Sequence, residues 1–112
     1  MLGAFSPQLE IRCNQTGFAV TNTDSSCPHA ILEWHDVNAV LAYKRDLYIV
    51  DLICLGFVTA SGTIEVHEEM RGWSELLEQL PPRLCVPPSS EWWERVAKPP
   101  FASCVTKLYA RT

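Results

Sequence analysis

From Tyr48 to Thr59 the chain runs through Ile49, Val50, Leu52, Ile53, Leu55, Phe57 and Val58 with Asp51 as its only charge. Nearly continuous apolar character rich in β-branched and aromatic side chains is what a strand buried on both faces requires. Such a strand needs neighbours, and the flanking sequence supplies them. Residues 37–44 alternate imperfectly and fit strand or helix on pattern alone. The apolar run beside them favours strand, which makes Lys44-Arg45-Asp46 the exposed tip of a hairpin. Ala60-Ser61-Gly62 is a turn signal, and Thr63 to Met70 alternates, with Ile64, Val66, Glu68 and Met70 on one face and Thr63, Glu65, His67 and Glu69 on the other. A three-stranded antiparallel meander is expected.

Around this meander the sequence sets further elements. Leu9 to Cys13 and Phe18 to Thr23 read as a hairpin turned by Asn14-Gln15-Thr16-Gly17, and a polar loop over 23–28 leads into the apolar run Ile31 to Trp34, which His35-Asp36 breaks. After Gly72, residues Trp73, Leu76, Leu77 and Leu80 fall at i, i+3, i+4 and i+7, the stripe of a helix lying on a core, and Pro81-Pro82 is expected to stop it. Ser89 and Ser90 offer N-caps to a short helix over Glu91 to Ala97, ended by Pro99-Pro100. Ser103 to Arg111 returns as a strand. The expectation is a single α+β domain over 1–112, a curved antiparallel sheet with one main amphipathic helix across it and a short C-terminal helix. A chain of 112 residues buries roughly two thirds of its unfolded surface and folds without a metal or disulfide framework.

Composition narrows the function classes. Hydrophobic residues make up 47% and charged residues 20% of the chain, outside the range of disordered sequences. Net charge is −4 and the nine Lys and Arg residues are scattered, so the electrostatic footprint for nucleic acid or an anionic membrane is missing. Met1 to Glu10 has neither a basic nor an apolar targeting pattern, and a cytoplasmic location is expected. The five cysteines, Cys13, Cys27, Cys54, Cys85 and Cys104, contain no C-x-x-C pair and read as free thiols behaving as small hydrophobes. No cofactor is implied.

The string Trp34-x-Asp36-Val37-x-x-Val40-x-Ala42-Tyr43-Lys44-x-Asp46, followed by Asp51-Leu52-Ile53, Glu68-Glu69-Met70 and Gly72-Trp73, resembles a group of short uncharacterised bacterial proteins over most of the chain. The order of elements also looks like that of bacterial pleckstrin-homology-like domains, which implies a curved antiparallel roll plugged by the Trp73–Leu80 helix. About thirty residues follow that helix here, with Trp92 and Trp93 among them, where such domains usually end. Neither resemblance carries an activity to named residues.

The residues themselves offer two readings. Tyr43, Lys44, Arg45 and Asp46, with Tyr48 beside them, form a charged and aromatic tip suited to recognition, because binding residues concentrate on loops. Trp92 and Trp93 point about 100° apart on a helix, so one ring is expected at the surface as an interface anchor. These imply a non-catalytic protein-binding module, whose partner is another protein or a second copy in a homodimer, or a small acidic inhibitor of immunity type. The rival is a small metal-assisted enzyme in which His67 and Glu69, on one strand face, are joined by Asp51 and His35. Asp51 within its apolar run otherwise reads as a buried structural partner of Lys44 or Arg45. No nucleophile motif or Gly-rich phosphate loop is present.

Overall fold

Asn14 turns the chain back on itself, its Oδ1 accepting from the N–H groups of Thr16 and Gly17, both at 2.9 Å. A short amide side chain mimics a turn of backbone in this way, and it sets Leu9–Cys13 (β1) antiparallel to Gly17–Asn22 (β2). The computed structural model describes residues 9–22, 28–46, 51–97 and 105–111, the side chains at positions 22, 28, 29, 46 and 51 excepted. Within them, Pro28–Glu33 (β3) adds to β2, and Ala39–Asp46 (β4), Asp51–Thr59 (β5), Gly62–His67 (β6) and Thr106–Ala110 (β7) follow, with helices Trp73–Leu84 (α1) and Ser89–Ala97 (α2) between β6 and β7. The expected α+β class is found. Its antiparallel strands divide into two sheets, β1-β2-β3 and β6-β5-β4-β7.

The meander β4-β5-β6 holds as expected, with β5 in the centre and Leu52 to Phe57 buried throughout. Register aligns Val40 with Phe57 and Ala42 with Leu55 on one side, and Leu55 with Val66 on the other. These side chains fill one face. Ile11, Phe18, Val20 and Leu32 fill the inner face of the first sheet, and both faces belong to one core. The rings of Phe18 and Phe57 meet edge to face at 4.9 Å, and Phe18 also touches Trp34 at 5.6 Å.

The helices take different places from the one expected. Helix α1 packs against β1, and α2 packs on β4 and β5. Gly72 at the N-cap of α1 has φ of 89°, and a Cβ there would stand 2.1 Å from the Ile11 carbonyl oxygen, so only glycine fits. That close approach lets Ile11 N–H donate to Arg71 O at 2.7 Å, tying the helix start to the edge of β1.

Pro81 and Pro82 do not stop α1, which continues to Leu84. Two N–H donors are lost, but bonding resumes with Cys85 N–H to Pro81 O at 3.1 Å, and the extra turn buries Leu84 on the stripe begun by Trp73, Leu76 and Leu80. Burial of a leucine is worth about 1.5–3 kcal/mol, comparable to the cost of one interior proline. Strand β6 ends at His67, three residues before the sequence pattern does. The Glu68 carboxylate accepts from Ile53 N–H at 3.0 Å, and Met70 N–H closes a turn on His67 O at 3.1 Å, which tucks Met70 into the core. Lys44 and Arg45 lie within β4 rather than at a tip.

Leu76 is fully buried at the centre of the α1 stripe. Leu76→Ala is expected to cost about 2–5 kcal/mol through lost packing and the cavity left behind. Chemical denaturation checks this, and an unchanged midpoint would mean that the stripe does not carry core packing.

Candidate functional site

The first sheet leaves β3 on its edge, and among the described residues no strand pairs with its outer side. Alternation sends Leu32 inward and Ile31 outward, where Ile31 is 67% exposed. Beside it lies a pocket of about 440 Å³ lined by Ile31 and Leu32 on one wall, the β5–β6 turn from Thr59 to Ile64 on the other, and Asp36, Asn38 and Arg111 at the end. Arg111 is fixed there by its backbone N–H to Asn38 O at 2.8 Å and by its guanidinium donating to His35 O. An exposed apolar side chain, an open strand edge and a small set of polar groups thus meet at one place.

At the rim, the single 3₁₀ turn Trp34–Asp36 brings Glu33, His35 and Asp36 together. His35 Nε2 stands 2.5 Å from Glu33 Oε1, and its Nδ1 stands 3.4 Å from Asp36 Oδ1. The ring therefore bridges two carboxylates with opposite nitrogens. A metal bound here would have to displace one of those contacts, and all three residues are exposed. Beneath them Trp34 is buried, and its indole N–H has no acceptor among the described residues.

On the opposite face of the larger sheet, the Tyr43 hydroxyl donates to Glu65 Oε1 and Arg45 Nη1 donates to Glu65 Oε2 at 2.9 Å. Tyr43 reaches Glu65 by lying over Gly56 of the intervening strand, where a Cβ would sit 3.3 Å from the Tyr43 ring. Burial first, then the hydrogen bond to Glu65, pushes the Tyr43 hydroxyl above its ordinary value of 10.0. Cys54 lies next to it, fully buried, and burial above all pushes its thiol up to about 12.

The residues singled out in the sequence are thus dispersed. Of the expected recognition tip, Tyr43 and Arg45 are engaged by Glu65, while Lys44 is buried at 4% exposure with Nζ donating to Ala97 O at 3.2 Å. Ala97 is the last residue of α2, where the helix dipole favours a cation. Lys44 is therefore a core lysine and not a surface contact. Asp46 faces Asp51 in the β4–β5 register, but both side chains and all of Tyr48 lie outside the description. Trp92 is buried, with Nε1 donating to Pro87 O at 3.1 Å, so of the two indoles it is the one turned inward. Trp93 keeps partial exposure and packs edge-on against Trp73 at 6.4 Å.

Of the metal-ligand set, His67 accepts through Nδ1 from Glu69 N–H at 3.2 Å. His35 instead groups with Glu33 and Asp36, the one cluster of three potential ligands found among the described residues. Sequence reasoning missed Ile31, Asn38, Glu65 and Arg111. Ile31 alone carried a signal, as an apolar residue in a short run with turn residues at either end. Among the described residues no helix is long and apolar enough to cross a membrane. Comparison with protein-family models, curated proteins and solved structures returns no match.

Thiol chemistry follows from burial. Cys85 is exposed, whereas Cys13 is pushed up to about 11 by burial and by the Glu75 carboxylate. Timed alkylation with mass spectrometry should label Cys85 before Cys13, and Cys54 only on unfolding, since the thiolate is the reacting form. Rapid labelling of Cys54 in the native protein would contradict its burial.

Tyr43 gives a pH signature. The folded protein holds its proton to higher pH than the unfolded chain does, so its contribution is full below its ordinary value of 10.0 and is lost as pH rises beyond it. Tyr43→Phe should make the fall of stability above about pH 10 shallower. An unchanged alkaline slope in denaturation curves would show that the hydroxyl is not held by Glu65.

Proposed function

We propose that this chain is a non-catalytic protein-binding module that acts through the open edge of β3 and the pocket beside it. The observation that carries this reading is Ile31, an isoleucine 67% exposed on an edge strand. An edge strand presents unpaired N–H and C=O groups that template pairing with another chain, and natural proteins usually blunt such edges with charge, proline or a cover. Here Pro28 limits only the start of β3. Covering Ile31 would contribute about 1.5–3 kcal/mol, enough to make it an anchor in a modest interface.

The partner is a protein in this reading, either a second copy closing a two-fold dimer or a distinct protein that the acidic chain binds as an inhibitor would. Scattered basic residues and a net charge of −4 argue against nucleic acid and anionic lipid. Sedimentation of the purified protein, paired with affinity capture from a bacterial lysate, tests the proposal when Ile31→Asp is run beside the parent chain. The variant should retain stability to within about 0.5 kcal/mol, as surface changes do, and lose self-association or the captured protein. A monomer that captures nothing, or an association indifferent to Ile31→Asp, would sink it.

A further inference from the structure

The pocket of about 440 Å³ beside β3 is lined by one carboxylate, that of Asp36, and one guanidinium, that of Arg111. Both are anchored on the same residue. Arg111 donates through Nη2 to the His35 carbonyl, and Asp36 Oδ1 stands 3.4 Å from His35 Nδ1. Yet among the described residues no ion pair joins the two charges to each other. Arg111 keeps Nε and Nη1, and Asp36 keeps Oδ2, for a further bond. A ligand that carries both signs on neighbouring atoms can bridge them with charge-assisted hydrogen bonds at each end. A purely anionic ligand on Arg111 would lie near the Asp36 carboxylate, and a purely cationic one on Asp36 would lie near the guanidinium, so each would meet a like charge.

The other walls are fixed in place before anything binds. Asn38 N–H donates to Val58 O at 2.7 Å and Asn38 O accepts from Arg111 N–H at 2.8 Å, which ties the residue bearing the guanidinium to the larger sheet. Across the pocket, Thr59 Oγ1 donates to Gly62 O at 2.9 Å and accepts from Ser61 N–H at 3.2 Å, bracing the β5–β6 turn. Ile31, Leu32 and Ile64 supply the apolar lining. Small-molecule sites combine such a lining with a few fixed polar groups, in volumes of about 300–1,000 Å³.

We propose that this pocket binds a free α-amino acid with a branched apolar side chain, its carboxylate on Arg111, its ammonium on Asp36 and its side chain against Ile31, Leu32 and Ile64. The α-ammonium and α-carboxylate share one carbon, which suits two protein charges anchored on one residue. The apolar side chain takes Ile31, 67% exposed, out of water. The inference goes beyond the protein-binding reading and needs no partner at the β3 edge.

Three probes with one side chain separate the contributions: L-leucine, N-acetyl-leucine, which lacks the ammonium, and leucine amide, which lacks the carboxylate. Titration of the isotope-labelled protein by NMR should show saturable binding of L-leucine below about 1 mM, with shifts at the amides of Asn38, Ser61, Gly62 and Arg111. Each capped probe should bind at least about tenfold more weakly, because each loses a hydrogen bond between charged groups. Arg111→Gln should bring L-leucine and leucine amide to within about twofold of each other, and Asp36→Asn should do the same for L-leucine and N-acetyl-leucine, as coupling between ligand group and side chain requires. If a variant does not fold, the capped probes on the parent chain decide. No saturation by L-leucine, equal binding of either capped probe, or shifts confined to residues away from the pocket overturns the inference. Association that still depends on Ile31 in that event leaves the protein-binding reading standing.

Discussion

The edge-to-face contact of Phe18 with Phe57 joins the two sheets, and most of the architecture follows from it. Aromatic pairs of this kind contribute beyond their buried area, and here the pair sits where the inner face of the small sheet meets the central strand of the larger one. Because β5 is covered by strands on both edges and by core on its inner face, its apolar run has nowhere else to go. The smaller sheet covers only part of the inner face. The remainder near Lys44 and Ile53 is taken by α2, which explains why a lysine is held in the core against a helix C-terminus.

Two sheets that share a core without closing into a barrel leave edges. One edge of the first sheet is partly tied, since the Gly72 approach lets Arg71 bond to Ile11 at the margin of β1. The other edge, β3, faces the pocket and exposes Ile31. The difference has a local cause. The 3₁₀ turn after β3 sends the chain across to β4 instead of back along the edge, so nothing among the described residues covers it. The binding proposals grow from that geometry rather than from a reactive group.

The outer face of the larger sheet is organised differently. Gly56 in the central strand removes a side chain, and Tyr43 fills the space while its hydroxyl meets Glu65 on the far strand. Arg45 binds the second oxygen of the same carboxylate. This cross-strand bracing joins β4 to β6 over β5. A partly exposed Arg–Glu pair adds little stability by itself, so its value lies in holding Tyr43 over Gly56. Residues that look like a recognition tip in sequence are thereby committed to the sheet.

Sequence alone determined the α+β class, the β4-β5-β6 meander, the Asn14 hairpin and the amphipathic stripe of α1, because each is written in a local period or in turn chemistry. It did not determine the division into two sheets, since strand alternation says which face is buried but not against what. The extension of α1 through Pro81-Pro82 was equally hidden: the local rule against interior proline is outweighed by burial of Leu84, which is a tertiary gain. Lys44 read as exposed by its charge, whereas the fold buries it and brings the carbonyl of Ala97 at the α2 C-terminus to its Nζ. The candidate site was the least legible part. Ile31, Arg111 and the β5–β6 turn are far apart in the chain and have no shared pattern, so only tertiary folding could bring them together around one pocket beside an open strand edge.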